Sequence, residues 1–384
     1  MKEIKDIHRA YDEAAKHGKK AALATVVHVE GSSYRQPGAR MLVTEDGTLT
    51  GAISGGCLEG DALRKALLVM TENKTLLVTY DTNDEDDAKL GMGLGCNGVI
   101  QVLIERIDET NTNNPIQLLK KAVEKRRPSV LATLFSMEDR KKQQPGTCLL
   151  LNENGMIDEA PLSLRRVLVD DTNAAMTEQR SFFKNYVSDT DNTIAFIEFI
   201  RPAVSLVIAG AGNDVMPLVK MADMLGWETT VVDGRTSYAK QDRFPSCQVL
   251  LAKPEEVLQK IIIDEQTVFV LMTHNYNYDL ALLKELVNRN VGYIGLLGPK
   301  KKRDRIINEL KENGLTLTED QLSTIHGPVG LDIGAETAEE IALSIIAEIK
   351  AVLSGKKGQQ LKNSGSVIHE RAATVIEEVR ITQR

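Results

Sequence analysis

The amino-acid sequence predicts a two-domain α/β protein whose second domain is a doubly wound parallel sheet. A chain of 384 residues is long enough for about two to three domains. Beyond Arg201-Pro202, apolar segments of strand length alternate regularly with segments of helical periodicity, which is typical of a parallel sheet with helices on both faces. We therefore expect domains at 1–200 and 201–354, followed by a polar linker and a short amphipathic tail at 355–384.

The composition excludes several classes of function. A formal net charge of −7 and an aromatic share of 4% argue against nucleic-acid and membrane partners. The sequence has no run of about 18 apolar residues, and its charged beginning lacks the apolar stretch of a signal peptide, so we expect a cytoplasmic protein. The four cysteines, Cys57, Cys96, Cys148 and Cys247, form no C-x-x-C pair, and no metal site is predicted.

Local patterns predict a mixture of helices and strands in the first domain. Gly38–Val43 and Thr48–Ile53 should form a β-hairpin, because Gly47 supplies the positive φ that the turn between them needs. A helix is expected after Leu58, where apolar residues recur at helical spacing. The other predicted elements are helices at 6–17 and 115–125 and strands at 21–29, 76–80, 99–105, 129–135, 147–151 and 194–200.

The second domain is predicted to contain five parallel strands with helices between them. Thr337-x-x-Glu340 has the capping-box pattern that starts a last helix over 336–353. The predicted strands lie at 204–209, 228–232, 249–252, 267–272 and 291–297.

A glycine-rich turn follows the first strand of this second domain and predicts a Rossmann-type fold. Gly210 allows the tight turn, and Gly212 lets a pyrophosphate approach the start of the next helix. Asp233, 21 residues past Gly212, would accept a hydrogen bond from a ribose 2′-OH. An NAD(P) cofactor is therefore one hypothesis, with Arg235 favouring a 2′-phosphate instead. A domain that serves only as scaffold is the alternative, because this fold does not dictate a ligand.

A polar loop in the first domain combines small residues, hydroxyls and two arginines around a rigid Pro-Gly. Arg35 and Arg40 have the planar guanidinium that suits a phosphate or the polar edge of a pterin, and Ser32 and Gly38 add small donors beside them. The competing interpretation is a long polar turn with both arginines in solvent.

Two cysteines stand beside glycines that let a ligand approach the backbone. Gly55 and Gly56 precede Cys57, which is predicted at the first turn of a helix, where the helix dipole and open amides favour a thiolate. Cys96 lies in a second loop with four glycines between 91 and 98. The competing interpretation for both is a small buried apolar residue, which is also what we expect of Cys148 and Cys247.

These motifs resemble those of the XdhC/CoxI family, the xanthine dehydrogenase accessory proteins. The similarity covers roughly residues 20 to 353 and is carried by GSSYRQPGARM, SGGCLEG and GLGCNG in the first domain and by LVIAGAGNDV, VVDGR, THNYNYD and IGLLGPKKKR in the second. The resemblance implies an XdhC/CoxI-type α/β domain followed by a Rossmann-like domain.

The resemblance also implies a role in maturing molybdenum hydroxylases. Such a protein binds molybdenum cofactor, assists its sulfuration and inserts it into apo xanthine dehydrogenase or a related enzyme. A cysteine desulfurase and a second copy of the chain are the other implied partners. Carried onto this chain, the cofactor site involves Ser32, Arg35, Arg40, the Gly55-Gly56-Cys57 turn and Cys96. The resemblance therefore implies a cofactor-binding chaperone in preference to an enzyme.

Two other classes of protein are compatible with parts of the sequence. An NAD(P)-dependent oxidoreductase is favoured by Gly210, Gly212 and Asp233. A catalytic subunit of the dehydrogenase is disfavoured, because four scattered cysteines cannot supply two iron–sulfur clusters.

Overall fold

The computed structural model describes residues 1–81, 98–138, 143–188, 192–363 and 376–381. The chain divides into two compact units, one containing Met1–Pro202 and the last strand, the other beginning at Ala203. Each unit has its own sheets and its own apolar cores.

The described residues of the first unit form two sheets. Sheet A is antiparallel, with the order β3-β2-β1-β5-β4. Its strands are β1 (Ala21–Gly31), β2 (Arg40–Thr44), β3 (Leu49–Gly51), β4 (Leu76–Asp81) and β5 (Gly98–Arg106). The predicted hairpin is confirmed as β2 and β3, with Met41 opposite Gly51.

Sheet B completes the first unit, with the order β17-β9-β10-β6-β7-β8. All of its pairs are antiparallel except β17 with β9, which is parallel. Its strands are β6 (Ser129–Phe135), β7 (Gly146–Asn152), β8 (Gly155–Asp158), β9 (Phe182–Val187), β10 (Asn192–Ile200) and β17 (Glu377–Arg380).

Helices cover the sheets of the first unit because each presents one apolar stripe. The helix α2 (Glu59–Glu72) buries Ala62, Ala66 and Val69 against one face of sheet A. The other face of sheet A packs with α1 (Lys2–Lys16), α3 (Pro115–Val123) and residues of sheet B. The helix α4 (Arg165–Glu178) packs on sheet B. Strand β1 is therefore buried on both faces over most of its length, which explains its nearly continuous apolar sequence.

The second unit is the predicted doubly wound parallel sheet. Sheet C has the order β13-β12-β11-β14-β15-β16, and all its pairs are parallel. Its strands are β11 (Ser205–Ala209), β12 (Glu228–Asp233), β13 (Gln248–Leu251), β14 (Thr267–Leu271), β15 (Ile294–Leu296) and β16 (Ile325–His326).

Helices lie on both faces of sheet C. On one face are α5 (Val215–Met224) and α10 (Ala338–Leu353), and on the other are α6 (Pro254–Val257), α7 (Tyr276–Leu286) and α8 (Lys300–Glu312). A short α9 (Glu319–Ser323) precedes β16. The strand order reverses between β11 and β14, so the carboxyl ends of these two strands border the crevice where ligands of this fold bind.

Several elements were not predicted from the sequence: α4, β8, β9, β16 and β17. The two-residue β16 is too short to show a pattern, and α4 buries only three residues along its length, so its apolar periodicity is weak. The capping box of the last helix is confirmed, with the Thr337 and Glu340 side chains each bonded to the other's backbone. None of the described helices has the length and apolarity needed to cross a bilayer.

Candidate functional site

The turn before α2 is organised by the hydroxyl of Ser54. Its Oγ accepts hydrogen bonds from the backbone N–H groups of Gly56, at 3.2 Å, and Leu58, at 3.1 Å. Leu58 is the N-cap of α2, whose N–H has no intrahelical partner, and Gly56 lies just before the helix. Ser54 therefore fixes the path of the Gly55-Gly56-Cys57 backbone.

Glu59 holds Ser54 in place from the first turn of α2. Its carboxylate accepts hydrogen bonds from the Ser54 hydroxyl, from Ser54 N at 2.7 Å and from Ile53 N at 3.2 Å. Burial raises the pKa of Glu59, but the hydrogen bonds from Ser54 and Ile53 lower it more, so its pKa lies below the ordinary value of 4.5. An anionic Glu59 is thus part of the turn.

Replacing Glu59 by glutamine should remove a pH-dependent part of the stability. A carboxyl whose pKa is depressed in the folded state stabilises the protein above its unfolded pKa, and this contribution disappears as the pH falls through the folded pKa. The difference in free energy of unfolding between wild type and Glu59→Gln should therefore be largest at pH 6 and shrink below pH 4.5. Denaturant unfolding at both pH values measures it, and a difference that grows on acidification would contradict this account.

Cys57 lies exposed on this turn. The structure corrects its predicted place slightly, because α2 begins at Glu59 and Cys57 precedes the helix instead of lying in its first turn. The Cys57 Sγ is 3.7 Å from Ser54 Oγ, and the thiol can donate to that oxygen. A continuous set of hydrogen bonds therefore leads from the Cys57 thiol through the Ser54 hydroxyl to the Glu59 carboxylate.

The polar loop that follows β1 reaches the same turn. The ring of the exposed Tyr34 lies over Gly55, at 3.6 Å from where a Cβ would stand. Gly56 has a φ of +113°, and no described residue lies within 4 Å of its Cβ position, so the backbone there can receive a ligand. In the same loop, Ser33 is buried, and its Oγ has no hydrogen-bond partner among the residues that the structure describes. Tyr34, Gly56 and Cys57 thus share one accessible surface, which we call the thiol turn.

Three neighbouring residues of that loop contact other parts of the first unit, and Ser32 among them is exposed. The backbone of Ser32 lies against Gly98, so closely that a side chain at position 98 would clash with it. Arg35 donates to the carboxylate of Glu3, and Gly38 is in close contact with Glu198, whose Oε1 is 2.6 Å from the Cβ position. These contacts fix the loop at both of its ends.

Arg40 requires a correction. It is 2% exposed, and its guanidinium binds the Glu198 carboxylate and, at 2.8 Å, the carbonyl oxygen of Gly38. The prediction that Arg40 contacts a cofactor therefore conflicts with its position, because it is buried and already paired. Instead it joins β2 of sheet A to β10 of sheet B.

The remaining cysteines fall into two groups. Cys148 and Cys247 are buried, which confirms the prediction that they belong to the core. Burial is the main cause that raises the pKa of the Cys247 thiol. The prediction for Cys96 lies outside the described residues. In the part of the chain that the structure describes, no three His, Cys, Asp or Glu side chains form a possible metal site.

In the second unit, Asp233 ends β12 beside the glycine-rich turn, as predicted, but its carboxylate is fully occupied. Oδ1 accepts from the Arg235 N and Nε, both at 2.9 Å, and Oδ2 accepts from the Ala211 N at 2.9 Å and the Arg235 Nη2 at 2.7 Å. A carboxylate offers about four lone-pair sites. Asp233 therefore has none left for a ribose hydroxyl.

The crevice at the carboxyl ends of β11 and β14 is bridged by two side chains. His274 follows β14 with a left-handed φ of 57°, and its Nε2 lies 2.7 Å from Oδ2 of Asp214, which follows β11. Gly210 is in close contact with the carbonyl oxygen of Met272, and Gly212 lies against the Asp214 carboxylate. The two predicted glycines thus serve the close approach of these loops.

The structure shows contributors that the sequence reasoning missed. Ser54 and Glu59 belong to the SGGCLEG motif, but they are 5 residues apart, which is not the spacing of a capping box, so no known local pattern marked their hydrogen bond. Glu198 had no local signal either, because it is 158 residues from Arg40.

The fold and the thiol turn define a class of protein in which an α/β unit with an exposed cysteine is joined to a Rossmann unit. A family model described as the XdhC and CoxI family matches residues 14–81, and one described as the XdhC Rossmann domain matches residues 206–349. The chain belongs to the XdhC/CoxI family.

Three known proteins show the extent of the similarity. A protein of Bacillus subtilis, named as a probable subunit of xanthine dehydrogenase, is 33% identical over 90% of this chain and 96% of its own length. The molybdenum cofactor insertion chaperone PaoD of Escherichia coli is 24% identical over 88% of this chain and 86% of its own length. A crystal structure described as a xanthine dehydrogenase from Bacillus halodurans has a TM-score of 0.73 and 30% identity, and the match covers 94% of this chain and 98% of that one.

Proposed function

We propose that this protein binds molybdenum cofactor and inserts it into a molybdenum hydroxylase such as xanthine dehydrogenase. The cofactor is cargo in this role, and the protein acts as a chaperone. Membership of the XdhC/CoxI family and the name of the similar PaoD chaperone support the proposal. The single structural observation that carries it is the exposed Cys57 thiol on an open Gly-Gly backbone.

The residues of the thiol turn fit such a cargo chemically. A thiolate is a soft ligand that suits a metal–sulfur centre. The open backbone at Gly56 admits a bulky group beside the exposed Cys57 thiol. The hydrogen bonds from Cys57 to Ser54 and on to Glu59 orient the thiol. Arg40 does not take part, because Glu198 occupies it.

The finer parts of the proposal rest on the family resemblance. We propose that the bound cofactor is sulfurated before insertion, with a cysteine desulfurase as the sulfur donor, and that the protein works in the cytoplasm as a homodimer. An NAD-dependent oxidoreductase is the weaker candidate, because the four hydrogen bonds to Asp233 leave no acceptor for the ribose.

Replacing Cys57 by alanine should lower the molybdenum that co-purifies with the protein by about tenfold or more, a loss of about 1.4 kcal/mol in binding free energy. The physical reason is the loss of the soft donor from an otherwise unchanged turn. Protein is purified from a cofactor-replete host, and molybdenum and pterin are assayed together.

The matched control is Cys247→Ala, which removes a buried thiol from the second unit and should leave the molybdenum content unchanged. Equal molybdenum in wild type and Cys57→Ala would refute the role of the thiol. A folded wild-type protein that retains neither molybdenum nor pterin would refute the proposed function itself.

A further inference from the structure

The ring of Tyr34 is the largest exposed apolar group of the thiol turn. It is 69% exposed, more than any other tyrosine of the chain. The ring rests on Gly55, whose Cβ position lies 3.6 Å from Cγ of the ring and 3.7 Å from Cδ1. Contact with Gly55 on one side and this degree of exposure leave the ring accessible to a ligand.

Tyr34 differs from the other tyrosines in having no partner for its ring or its hydroxyl. The chain has eight tyrosines, and all of them lie in the described ranges. Among the described residues, the Tyr34 hydroxyl makes no hydrogen bond, and no other ring or cation stacks on Tyr34. Each of the others has a hydrogen-bonded hydroxyl or a stacked cation: Tyr11, Tyr80, Tyr186, Tyr238, Tyr276, Tyr278 and Tyr293.

The loop holds Tyr34 at the surface from both sides. Ser33 before it is buried, and Arg35 after it donates to the carboxylate of Glu3. Further along, the Gly38 N–H donates to the carbonyl oxygen of Val26 in β1 at 2.8 Å. Because the loop is anchored around it, the ring is presented in a fixed place, and a ligand loses little affinity to ordering it.

An accessible tyrosine ring on a fixed loop suits a planar heteroaromatic group. Aromatic side chains stack on such groups through their π-faces, in an offset arrangement. The cargo of the proposed function carries a pterin, whose pyrimidine ring is planar and heteroaromatic. Gly55 under the Tyr34 ring and the exposed Cys57 are two residues apart, so their Cα atoms lie within about 7 Å of each other. One ligand can therefore contact the ring and the thiol together.

We propose that Tyr34 stacks on the pterin ring of the cofactor and thereby orients the molybdenum end toward Cys57. The proposal rests on the proposed function and adds to it a residue that recognises the organic part of the cargo. Recognition is then divided within the thiol turn. The soft thiol serves the metal, the tyrosine ring serves the pterin, and the open backbone at Gly56 leaves room between them.

A fluorescence titration of the full chain with pterin, the bicyclic ring without side chain or molybdenum, tests the stacking. The wild-type protein should bind pterin, and Tyr34→Leu, which removes the ring, should weaken binding at least about fivefold. Tyr34→Phe keeps the ring and should bind within about twofold of wild type, because stacking does not use the hydroxyl. The matched control is Tyr238→Leu, which removes an exposed tyrosine of the second unit and should leave the affinity unchanged.

Failure of this proposal is distinguishable from failure of the proposed function. Equal pterin affinity in wild type and Tyr34→Leu, or no pterin binding by the wild-type protein, would overturn the role of Tyr34. Equal losses in Tyr34→Leu and Tyr34→Phe would also overturn it, because the hydroxyl and not the ring would then make the contact. If the wild-type protein still co-purifies with molybdenum in any of these cases, the chaperone function stands without the stacking.

Discussion

Replacing Arg40 by methionine is expected to lower the free energy of unfolding of the first unit by about 3–5 kcal/mol. The arginine is 2% exposed and its partner Glu198 has a side chain that is only 15% exposed. Removing the guanidinium leaves the mostly buried Glu198 carboxylate without its ion-pair partner, and most of its desolvation is then no longer compensated. The variant also removes the bond to the Gly38 carbonyl oxygen that closes the polar loop.

Denaturant unfolding followed by a signal from the first unit measures this loss. The matched control is Arg64→Met, which breaks an exposed pair with Asp61 whose arginine side chain is 75% exposed, and it should cost less than about 1 kcal/mol. The double variant Arg40→Met with Glu198→Leu should recover part of the loss, because no unpaired charge remains. If Arg40→Met lowers the free energy of unfolding as little as Arg64→Met does, the buried ion pair does not hold the two sheets together.

Replacing Gly210 by alanine should destabilise the second unit by about 3 kcal/mol or more. Gly210 has a φ of +120°, where a side chain is strained, and an added Cβ would clash with the backbone carbonyl oxygen of Met272. The strands β11 and β14 are central in sheet C, so neither loop can move away without disturbing their pairing.

Gly212→Ala is the matched control for this prediction. Its Cβ would meet only the carboxylate end of Asp214, a side chain that can turn away, so the change should cost less than about 1 kcal/mol. Thermal unfolding of both variants makes the comparison. A Gly210→Ala protein as stable as Gly212→Ala would show that the β11 and β14 loops separate easily, contrary to the close contact between Gly210 and Met272.

The sequence predicted most of the fold because the strong local patterns agree with the final packing. Strand β6 occupies the predicted residues, and the strands of the parallel sheet shift by only a few residues at their ends. The elements that were missed have weak patterns. The alternation of apolar and polar residues in β9 is incomplete, because Lys184 and Asn185 separate its aromatic residues. Its pairing with β10 and β17 makes it a strand.

The site was predicted less completely, because partners that decide a side chain's role are distant in sequence. Cys57 was predicted at the first turn of a helix behind two glycines, and it lies exposed just before α2. Arg40 is a residue of the type that binds phosphate, and it follows a polar loop. Only the three-dimensional structure shows that its guanidinium is already paired with Glu198. Asp233 was located by spacing, whereas the saturation of its carboxylate depends on side-chain geometry.

The pairing of β17 with β9 sets an order of events while the chain is being synthesised. Lys184 of β9 and its partner Glu377 of β17 are 193 residues apart. At about 5–20 residues per second, the ribosome needs roughly 10–40 s to make the chain between them, which includes the whole second unit. During that interval β9 is an open edge of sheet B, and such an edge is a template for strands of other chains. Sheet B therefore lacks its outermost strand until β17 has been made.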